Sequence, residues 1–324
     1  MRYEFTDETI REDDIHPDAI FAEERKLAES FVKAAALPDR IEPCPICGAE
    51  RAEILFEKWG AKYAICPASW TIGLGAAPNE QALRDYFHDS ELASFRTSDS
   101  YQRTISDKRK ELWEAQIGWI EGRVSRYLGN EKYVSLDWGS KFSGWLNYLR
   151  TAAFVKELYV SDALPPVLEN GPRDAPADIA FLIDVIQREK RPGDLIRKVR
   201  ARLNPGGLLI ASCRAGSGFD VLTLRERSTS IFPFDHLLLP SPKGVRFLLE
   251  QSGFEVLEIV TPGLMDARYI QSAAEHIPKE QYFQRYIVGL GDEALLDRLQ
   301  GFLQRNNLSS HLRCVARKDR KSVV

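Results

Sequence analysis

The sequence predicts an α/β fold preceded by a small N-terminal module that carries most of the cysteines. After Gly129, short apolar runs alternate with amphipathic stretches, which is typical of a sheet covered by helices. Before Gly129, two cysteine-containing turns and a long helical stretch lack this alternation. The chain is therefore expected to combine two kinds of architecture.

The composition is that of an ordinary globular protein. The 324 residues are 44% hydrophobic and 28% charged, a balance that excludes a disordered chain. The net charge of −3 argues against sequence-independent nucleic-acid binding, which takes a basic excess. No apolar run approaches the roughly 18–20 residues that cross a bilayer, and the acidic start MRYEFTDETIREDD lacks the apolar stretch of a signal peptide. We expect a cytoplasmic protein with free thiols and with neither nucleic-acid nor membrane partners.

The N-terminal elements are predicted from local patterns. Apolar spacing predicts a helix from Ile20 to Ala36. The segment PCPICGAERAEILFEKWGAKYAICPASW is typical of a cysteine turn, a strand, a turn at Gly60, a second strand and a second cysteine turn. From Asn79 to about Gly129, apolar residues recur at helical spacing.

Three of the five cysteines have the spacing of a structural zinc site. Cys44 and Cys47 form a C-x-x-C pair, and eighteen residues separate Cys47 from Cys66. The fourth ligand position holds Ser69, and serine is a poor zinc ligand. Three interpretations stay open: zinc held by three thiolates with water or a distant residue such as His88, a ribbon that has lost its metal, or cysteines that are simply buried.

The C-terminal elements alternate between strands and helices. Strands are predicted at YVSLDWG, ELYVSD, ADIAFLIDVI, NPGGLLIASCR, GFEVLEIVTP and HLRCVARK. Helices are predicted at GWLNYLRTAAF, DLIRKVRARL and PKGVRFLLEQ, with a further helical stretch before the last strand. The predicted organisation is an N-terminal arm (1–41), a degenerate zinc-ribbon-like module (42–76), a helical segment (77–129), an α/β domain (130–318) with a helical insertion (about 264–307), and a tail (319–324).

A glycine-containing turn follows the first strand of the α/β domain. The strand ends at Asp137, and Gly139, Ser140 and Gly144 lead into a helix, whose N-terminus offers unpaired N–H groups. The second strand ends at Asp162, where doubly wound sheets place an acid that binds ribose hydroxyls. The spacing does not match G-x-G-x-x-G. A nucleoside-type ligand and a plain strand-to-helix turn both remain open.

Four segments together resemble the class I S-adenosylmethionine-dependent methyltransferases. They are VSLDWGSKFSGWL, YVSD, APADIAFLIDVIQREKRPGDLIRKVRARLNPGGLLIAS, and GFEVLEIVTP with SSHLRCVARK as a closing antiparallel pair. The stretch LNPGGLLIAS is the most specific of them. With the cysteine module, the chain resembles a bacterial subgroup that carries an N-terminal zinc ribbon and includes sugar C-methyltransferases. The resemblance implies a Rossmann-like, seven-stranded methyltransferase sheet.

The resemblance also implies a set of cofactor contacts. Asp162 would hold the ribose hydroxyls, and Asp184 would face the methyl group. The turn loop reads D-W-G-S-K-F-S-G instead of D-x-G-x-G-x-G, and the Glu-His pair frequent after the fourth strand is Gln187-Arg188 here. The residues implied around the methionine moiety of S-adenosylmethionine are Asp137, Gly139, Ser140 and Gly144.

The loop after the fifth strand contains a candidate general base. The segment FPFDHLLLPS resembles the Pro-x-(Glu/Asp)-His-x-x-x-x-(Ser/Thr) signature of sugar methyltransferases, with Asp235 and His236 in the matching places. Histidine titrates near neutrality and can take a proton as a methyl group leaves sulfur. The other interpretation is that His236 hydrogen-bonds the loop. Two interpretations of Arg225 and Arg227 stay open: they pair with a phosphate or carboxylate of the acceptor, or they are solvated or paired with Glu226.

Two functions of different classes follow. The first is an S-adenosylmethionine-dependent methyltransferase acting on a small-molecule or carbohydrate acceptor such as a nucleotide sugar or a glycan, with His236 and Asp235 as catalytic residues. The alternative is a non-catalytic, methyltransferase-like binding or scaffold protein. A nicotinamide oxidoreductase fits the fold class but not the glycine spacing.

Overall fold

The computed structural model describes residues 19–140, 143–161 and 176–319. Its N-terminal part contains a helix, three strands and a run of helices. A π-helical turn, Asp85–Asp89, joins the second and third helices. The elements are α1 (Ala19–Ala34), β1 (Glu53–Lys58), β2 (Ala61–Ile65), β3 (Ile72–Leu74), α2 (Glu80–Arg84), α3 (Glu91–Thr97) and α4 (Asp99–Tyr127).

The hairpin of β1 and β2 forms where the sequence predicts strand, turn and strand. Trp59 and Gly60 make the turn with φ of 55° and 85°, and two successive positive φ values are typical of a two-residue hairpin turn. The strands pair antiparallel, with Lys58 opposite Ala61. The hairpin prediction is confirmed.

The C-terminal half contains seven helices and seven strands among the described residues. Three of the helices, α9 to α11, lie between the last two strands. The elements are β4 (Tyr133–Trp138), α5 (Ser143–Thr151), β5 (Val155–Ser161), β6 (Ala177–Ile183), α6 (Pro192–Arg202), β7 (Leu203–Arg214), α7 (Phe219–Leu224), β8 (Leu238–Leu239), α8 (Pro242–Gln251), β9 (Phe254–Val260), α9 (Asp266–Ser272), α10 (Tyr282–Gly289), α11 (Glu293–Arg305) and β10 (His311–Lys318).

The large sheet has the order β5-β4-β6-β7-β10-β9. The first four strands are parallel, and β10 is antiparallel to both of its neighbours. The chain moves outward from β4 to β5 and then crosses to β6 on the other side of β4. In open α/β sheets, ligands bind beyond the carboxyl ends of the strands at such a reversal.

The described residues form one strand fewer than the seven predicted for this sheet. Among the described residues the sheet has six strands, one for each apolar run of the C-terminal half. The interval between β5 and β6 includes residues 162–175, which lie outside the described residues. The α/β class and the antiparallel closing pair are confirmed.

A second, smaller sheet joins the N-terminal module to the α/β domain. Its order is β1-β2-β3-β8, and β8 comes from the loop after β7. Ile72 pairs with Leu239, and the Leu74 N–H donates to the Leu237 carbonyl at 2.9 Å. The sequence does not predict β3 or β8, because strands of three and two residues show no periodicity.

The core lies on both faces of the large sheet. Along β6, Ala180 and Leu182 pack on one face, whereas Phe181 and Ile183 pack on the other. Such double-sided burial explains why parallel strands are continuous apolar runs. All five cysteines are free, and the solitary Cys213 and Cys314 are buried core residues of β7 and β10.

No helix in the described ranges is long and apolar enough to span a membrane.

Candidate functional site

The carboxyl ends of the parallel strands meet at one edge of the large sheet. This edge carries Asp137 near the end of β4, the turn that follows β4, and Asp184, which directly follows β6. Asp162, the predicted ribose ligand, follows β5 but lies outside the described residues. The structure therefore brings the predicted acids of the first and third parallel strands to a common edge.

Asp137 closes the turn between β4 and α5. Its buried carboxylate accepts hydrogen bonds from the Ser140 amide (3.1 Å) and hydroxyl (2.6 Å) and from Trp145 Nε1 (3.3 Å). Burial raises the pKa of Asp137 to about 6, and these hydrogen bonds act in the opposite direction. Gly139 has a φ of 80°, which glycine adopts without strain. The carboxylate thus stabilises the turn itself.

Gly144 is explained by a contact with helix α4. A Cβ atom at this position would lie 2.3 Å from Cζ3 of Trp113. Glycine lets α4 pack closely on α5. Its contact with a cofactor stays a prediction, whereas its packing role follows from the contact.

Asp184 has an uncommon backbone conformation. Its φ is 56°, a left-handed value that is strained for most residues other than glycine. Its N–H donates to the Ser212 carbonyl at 3.0 Å, and its Oδ1 accepts a long, 3.4 Å hydrogen bond from the Ser212 hydroxyl. Residues with uncommon backbone conformations cluster at functional sites, and they persist only where the surrounding structure holds them in place. The half-buried carboxylate retains capacity to accept further hydrogen bonds.

Asp235 belongs to a buried ion-pair network. Its Oδ2 accepts hydrogen bonds from Arg96 Nη2 (2.6 Å) and from the Tyr86 hydroxyl (2.8 Å). Arg96 Nε also donates to Glu24 Oε1 at 2.7 Å. The network connects α1, α3 and the loop before β8. Asp235 therefore anchors this loop on the N-terminal helices.

His236 is buried in the same loop. Its Nδ1 lies 3.1 Å from both the amide nitrogen and the carbonyl oxygen of Phe232. The Tyr63 hydroxyl donates to the His236 carbonyl at 2.8 Å. Burial lowers the pKa of His236 to about 4, although Asp235 opposes this change. The imidazole is therefore neutral at pH 7.

The tautomer of His236 decides what its ring can do. If Nδ1 accepts the Phe232 N–H, the ring proton is on Nε2, and Nε2 is a donor. If Nδ1 donates to the Phe232 carbonyl, Nε2 can accept a proton. The contact with Phe232 also agrees with the alternative interpretation of the sequence, in which His236 hydrogen-bonds and stabilises its own loop.

The structure reveals buried arginines that the sequence analysis does not assign to the site. Arg188 is 3% exposed and lies in a 3₁₀ turn directly after β6. Among the described residues, neither Nε nor Nη1 of Arg188 has a hydrogen-bond partner. Its neighbour Gln187 accepts a hydrogen bond from the Arg214 amide at 2.6 Å. The sequence signal for Arg188 is an arginine at the carboxyl end of an apolar strand, in a place where the resemblance to methyltransferases implies a Glu-His pair.

Arg214 extends this cationic region to β7. Its Nη2 pairs with Asp220 Oδ2 at 2.5 Å, while its buried Nε has no partner in the described part of the chain. The same holds for Nη1 of Arg96. By contrast, Arg225 and Arg227 lie in an exposed 3₁₀ turn, and Arg227 pairs with Glu226 at 3.7 Å.

The three N-terminal cysteines converge. The Sγ atoms of Cys44, Cys47 and Cys66 all lie within 4.8 Å of one another, and Cys47 and Cys66 are 3.5 Å apart. Ser69 Oγ lies 3.5 Å from Cys44 Sγ, at the fourth corner. A tetrahedral zinc ion with Zn–S distances of about 2.3 Å separates its sulfurs by about 3.8 Å. The donor set and its spacing fit a metal ion.

The two cysteine turns repeat one hydrogen-bond pattern. Gly48 N–H donates to the Cys44 carbonyl, and Trp70 N–H donates to the Cys66 carbonyl, both at 2.8 Å. Burial raises the pKa of Cys66, but hydrogen bonds, above all with Ser69, outweigh it and lower the pKa to about 7. A thiolate at neutral pH is the form that binds metal.

The cysteine cluster packs against α8. Ser241, the N-cap of α8, donates from its hydroxyl to the Ser69 carbonyl at 2.5 Å. Cys44 and Cys66 share a hydrophobic cluster with Val245 of α8. The cluster therefore lies at the junction of the small sheet and the α/β domain.

Comparisons with known proteins give structural likeness only. No protein-family model and no curated protein sequence matches the chain. Solved structures with similarity include the cyclase SpnF (18% identity, TM-score 0.34, covering 62% of this chain and 80% of that chain). They include the plantazolicin methyltransferase BamL, in complex with a triazolic desmethylPZN analog and SAH (16% identity, TM-score 0.41, covering 73% of this chain and 94% of that chain). A third is an S-adenosylmethionine dependent methyltransferase from Mesorhizobium loti (14% identity, TM-score 0.39, covering 64% of this chain and 100% of that chain).

Proposed function

We propose that the protein is an S-adenosylmethionine-dependent methyltransferase that acts on a small-molecule or carbohydrate acceptor. The observation that carries the proposal is the sheet, in which antiparallel β10 lies between β7 and β9. A dinucleotide-binding sheet of strand order 3-2-1-4-5-6 has no such strand. The antiparallel strand agrees with the closing pair implied by the resemblance of GFEVLEIVTP and SSHLRCVARK to class I methyltransferases.

The carboxyl edge supplies the residues that would hold the cofactor. S-adenosylmethionine carries an already activated methyl group, so the protein has to align the reactants and accept a proton. Asp184 has one long hydrogen bond to Ser212 and can accept others from hydroxyl or ammonium groups. The turn at Gly139 would let the backbone approach the ligand, and Asp162 would hold the ribose hydroxyls.

His236 is the proposed general base. In the tautomer whose Nδ1 donates to the Phe232 carbonyl, Nε2 would take the proton that the acceptor atom loses as it gains the methyl group. The pKa of about 4 keeps the ring unprotonated at pH 7 but makes it a weak base. Asp235 acts as a positioning residue in this proposal, since it fixes the loop through Arg96.

The cysteine cluster is proposed to hold a structural zinc ion. Cys44, Cys47 and Cys66 would provide thiolate ligands, and Ser69 or water would take the fourth position. Zinc would rigidify the two turns that carry the small sheet, and through β3 and β8 it would stabilise the His236 loop.

A non-catalytic binding or scaffold protein is the second candidate. It is favoured by Asp137, whose carboxylate already accepts hydrogen bonds from Ser140 and Trp145. It is also favoured by the contact of the His236 ring with Phe232.

Calorimetric titration of two variants tests the proposal. Asp184→Ala should weaken S-adenosylhomocysteine binding about tenfold, as expected for the loss of a charge-assisted hydrogen bond. The control Asp194→Ala changes an acid of α6 that pairs with the exposed Arg197 and should bind as the wild type does. Equal affinity in Asp184→Ala removes Asp184 from the cofactor site.

The base is tested separately by turnover. The wild type is incubated with S-adenosylmethionine and a panel of nucleotide sugars, and the S-adenosylhomocysteine that it releases is measured. The His236→Ala variant should release none, while its affinity for the cofactor is unchanged. His276→Ala, which changes a histidine with a 47% exposed side chain, serves as the control. Full activity in His236→Ala would show that another group accepts the proton.

A further inference from the structure

The buried guanidinium of Arg188 is not explained by the residues around it. The side chain is 3% exposed, and its Nε and Nη1 have no hydrogen-bond partner among the described residues. A buried charged donor without an acceptor is unfavourable, and burial lowers the pKa of Arg188 for this reason. Its position directly after β6 places it at the carboxyl edge of the sheet.

Two other arginines contribute donors in the same region. Arg96 Nη1 and Arg214 Nε are also buried and have no partner within the described ranges. Arg188 and Arg96 interact electrostatically, and both Arg188 and Arg214 lie near enough to His236 to lower its pKa. Arg96 contacts Asp235, the neighbour of His236, and the Arg214 amide donates to Gln187, the neighbour of Arg188, so the three arginines belong to one region of the molecule.

The acidic residues of the region leave these donors unsatisfied. Asp235 and Glu24 accept hydrogen bonds from the other nitrogens of Arg96, and Asp220 accepts from Nη2 of Arg214. Asp184 and Asp235 raise the pKa of Arg188 at a distance, but neither is a hydrogen-bond partner of its Nε or Nη1. The charges are partly balanced, while these donor nitrogens have no acceptor within the described part of the chain.

We propose that Arg188, flanked by Arg96 and Arg214, binds an oxyanion group of the acceptor, a carboxylate or a phosphate. A guanidinium presents N–H groups in a planar fork that matches the oxygens of either group, and charge-assisted pairs of this kind are strong. The inference rests on the proposed function for the identity of the ligand as the acceptor. It makes the acceptor an anionic molecule whose charged group lies close to His236.

Anion-dependent thermal unfolding tests the site in the full chain. Inorganic phosphate and acetate are the two probes, each titrated at constant ionic strength with chloride as the replaced anion. Binding to the folded state raises the unfolding midpoint with increasing ligand concentration. The variants are Arg188→Met, Arg188→Lys, which keeps the charge but loses the fork, and the control Arg191→Gln, whose side chain is 82% exposed in the wild type.

We expect the wild type and Arg191→Gln to be stabilised by at least one probe, and the better probe identifies the class of oxyanion. The apparent affinity should fall about 10- to 100-fold in Arg188→Met and less in Arg188→Lys. Equal anion dependence in wild type and both Arg188 variants overturns the proposal, as does a wild type that neither probe stabilises. If Arg188→Met is unfolded, the Arg188→Lys titration decides by the same criterion.

The outcome is distinguishable from failure of the proposed function. Anion binding that depends on Arg188, together with no binding of S-adenosylhomocysteine, leaves the oxyanion site standing and rejects the methyltransferase. Cofactor binding without anion binding rejects the oxyanion site alone.

Discussion

Replacing Arg96 by methionine removes the charge that joins α1, α3 and the His236 loop. The Arg96 guanidinium pairs with Glu24 at 2.7 Å and with Asp235 at 2.6 Å, and the three side chains are 8%, 9% and 7% exposed. The substitution removes the guanidinium that both buried carboxylates contact. Loss of one partner of a buried ion pair costs about 3–5 kcal/mol, and we expect Arg96→Met to lower the free energy of unfolding by that amount at pH 7.

Urea unfolding of matched variants measures this effect. The control Arg40→Met breaks an exposed pair with Glu42, whose side chain is 38% exposed, and should cost about 0–1 kcal/mol. Adding Asp235→Asn to Arg96→Met should restore part of the loss, because one of the two buried carboxylates that contacted Arg96 becomes neutral. An Arg96→Met variant within about 1 kcal/mol of the wild type would refute the view that this network holds the loop.

Three further predictions concern the turn after β4 and the cysteines. The folded state raises the pKa of Asp137 from 3.8 to about 6, so folding favours the protonated carboxyl group. The resulting contribution to the free energy of unfolding is fully present below the pKa of the unfolded state and is lost as the pH rises through about 6. Asp137→Asn should remove about 3 kcal/mol from the change in unfolding free energy between pH 3.5 and 7, and an unchanged pH profile would contradict it. Gly144→Ala should lower the free energy of unfolding by about 1–3 kcal/mol, because the new methyl group clashes with Trp113. In the control Gly118→Ala the methyl group meets no atom within 4 Å, and the free energy of unfolding should rise by about 0.5–1 kcal/mol. Equal chemical denaturation midpoints for the two variants would contradict this. Metal analysis should find about one zinc per wild-type chain and none in Cys66→Ser, and wild-type protein purified without chelators but free of zinc would contradict the proposed metal site.

The sequence predicts the elements whose signals are local. The first helix is expected from Ile20 to Ala36 and is observed at Ala19–Ala34. The hairpin turn at Gly60 is also found, because it depends on turn chemistry within a few residues. The antiparallel pairing of β9 and β10 is expected only from the resemblance to class I methyltransferases, since a helical insertion separates the two strands. The class of fold follows from such elements in order.

Contacts between distant segments could not be predicted in this way. Asp235 pairs with Arg96, 139 residues away, so the proximity of Asp235 to His236 in sequence was a misleading guide to its partner. The clash that makes Gly144 necessary comes from Trp113 on another helix. The role proposed for Arg188 depends on its burial and on two guanidinium nitrogens that have no partner among the described residues, and both are properties of the folded chain. Local sequence carries none of this information.

Calorimetric titration of the wild-type protein with S-adenosylhomocysteine tests the central claim most directly. The ligand shares its adenosine and amino acid groups with the proposed cofactor, so its binding does not depend on knowing the acceptor. We predict saturable binding to one site per chain, which Asp162→Ala weakens severely. Absence of binding at about 1 mM, a dissociation constant that corresponds to about −4 kcal/mol, would contradict the assignment as a methyltransferase.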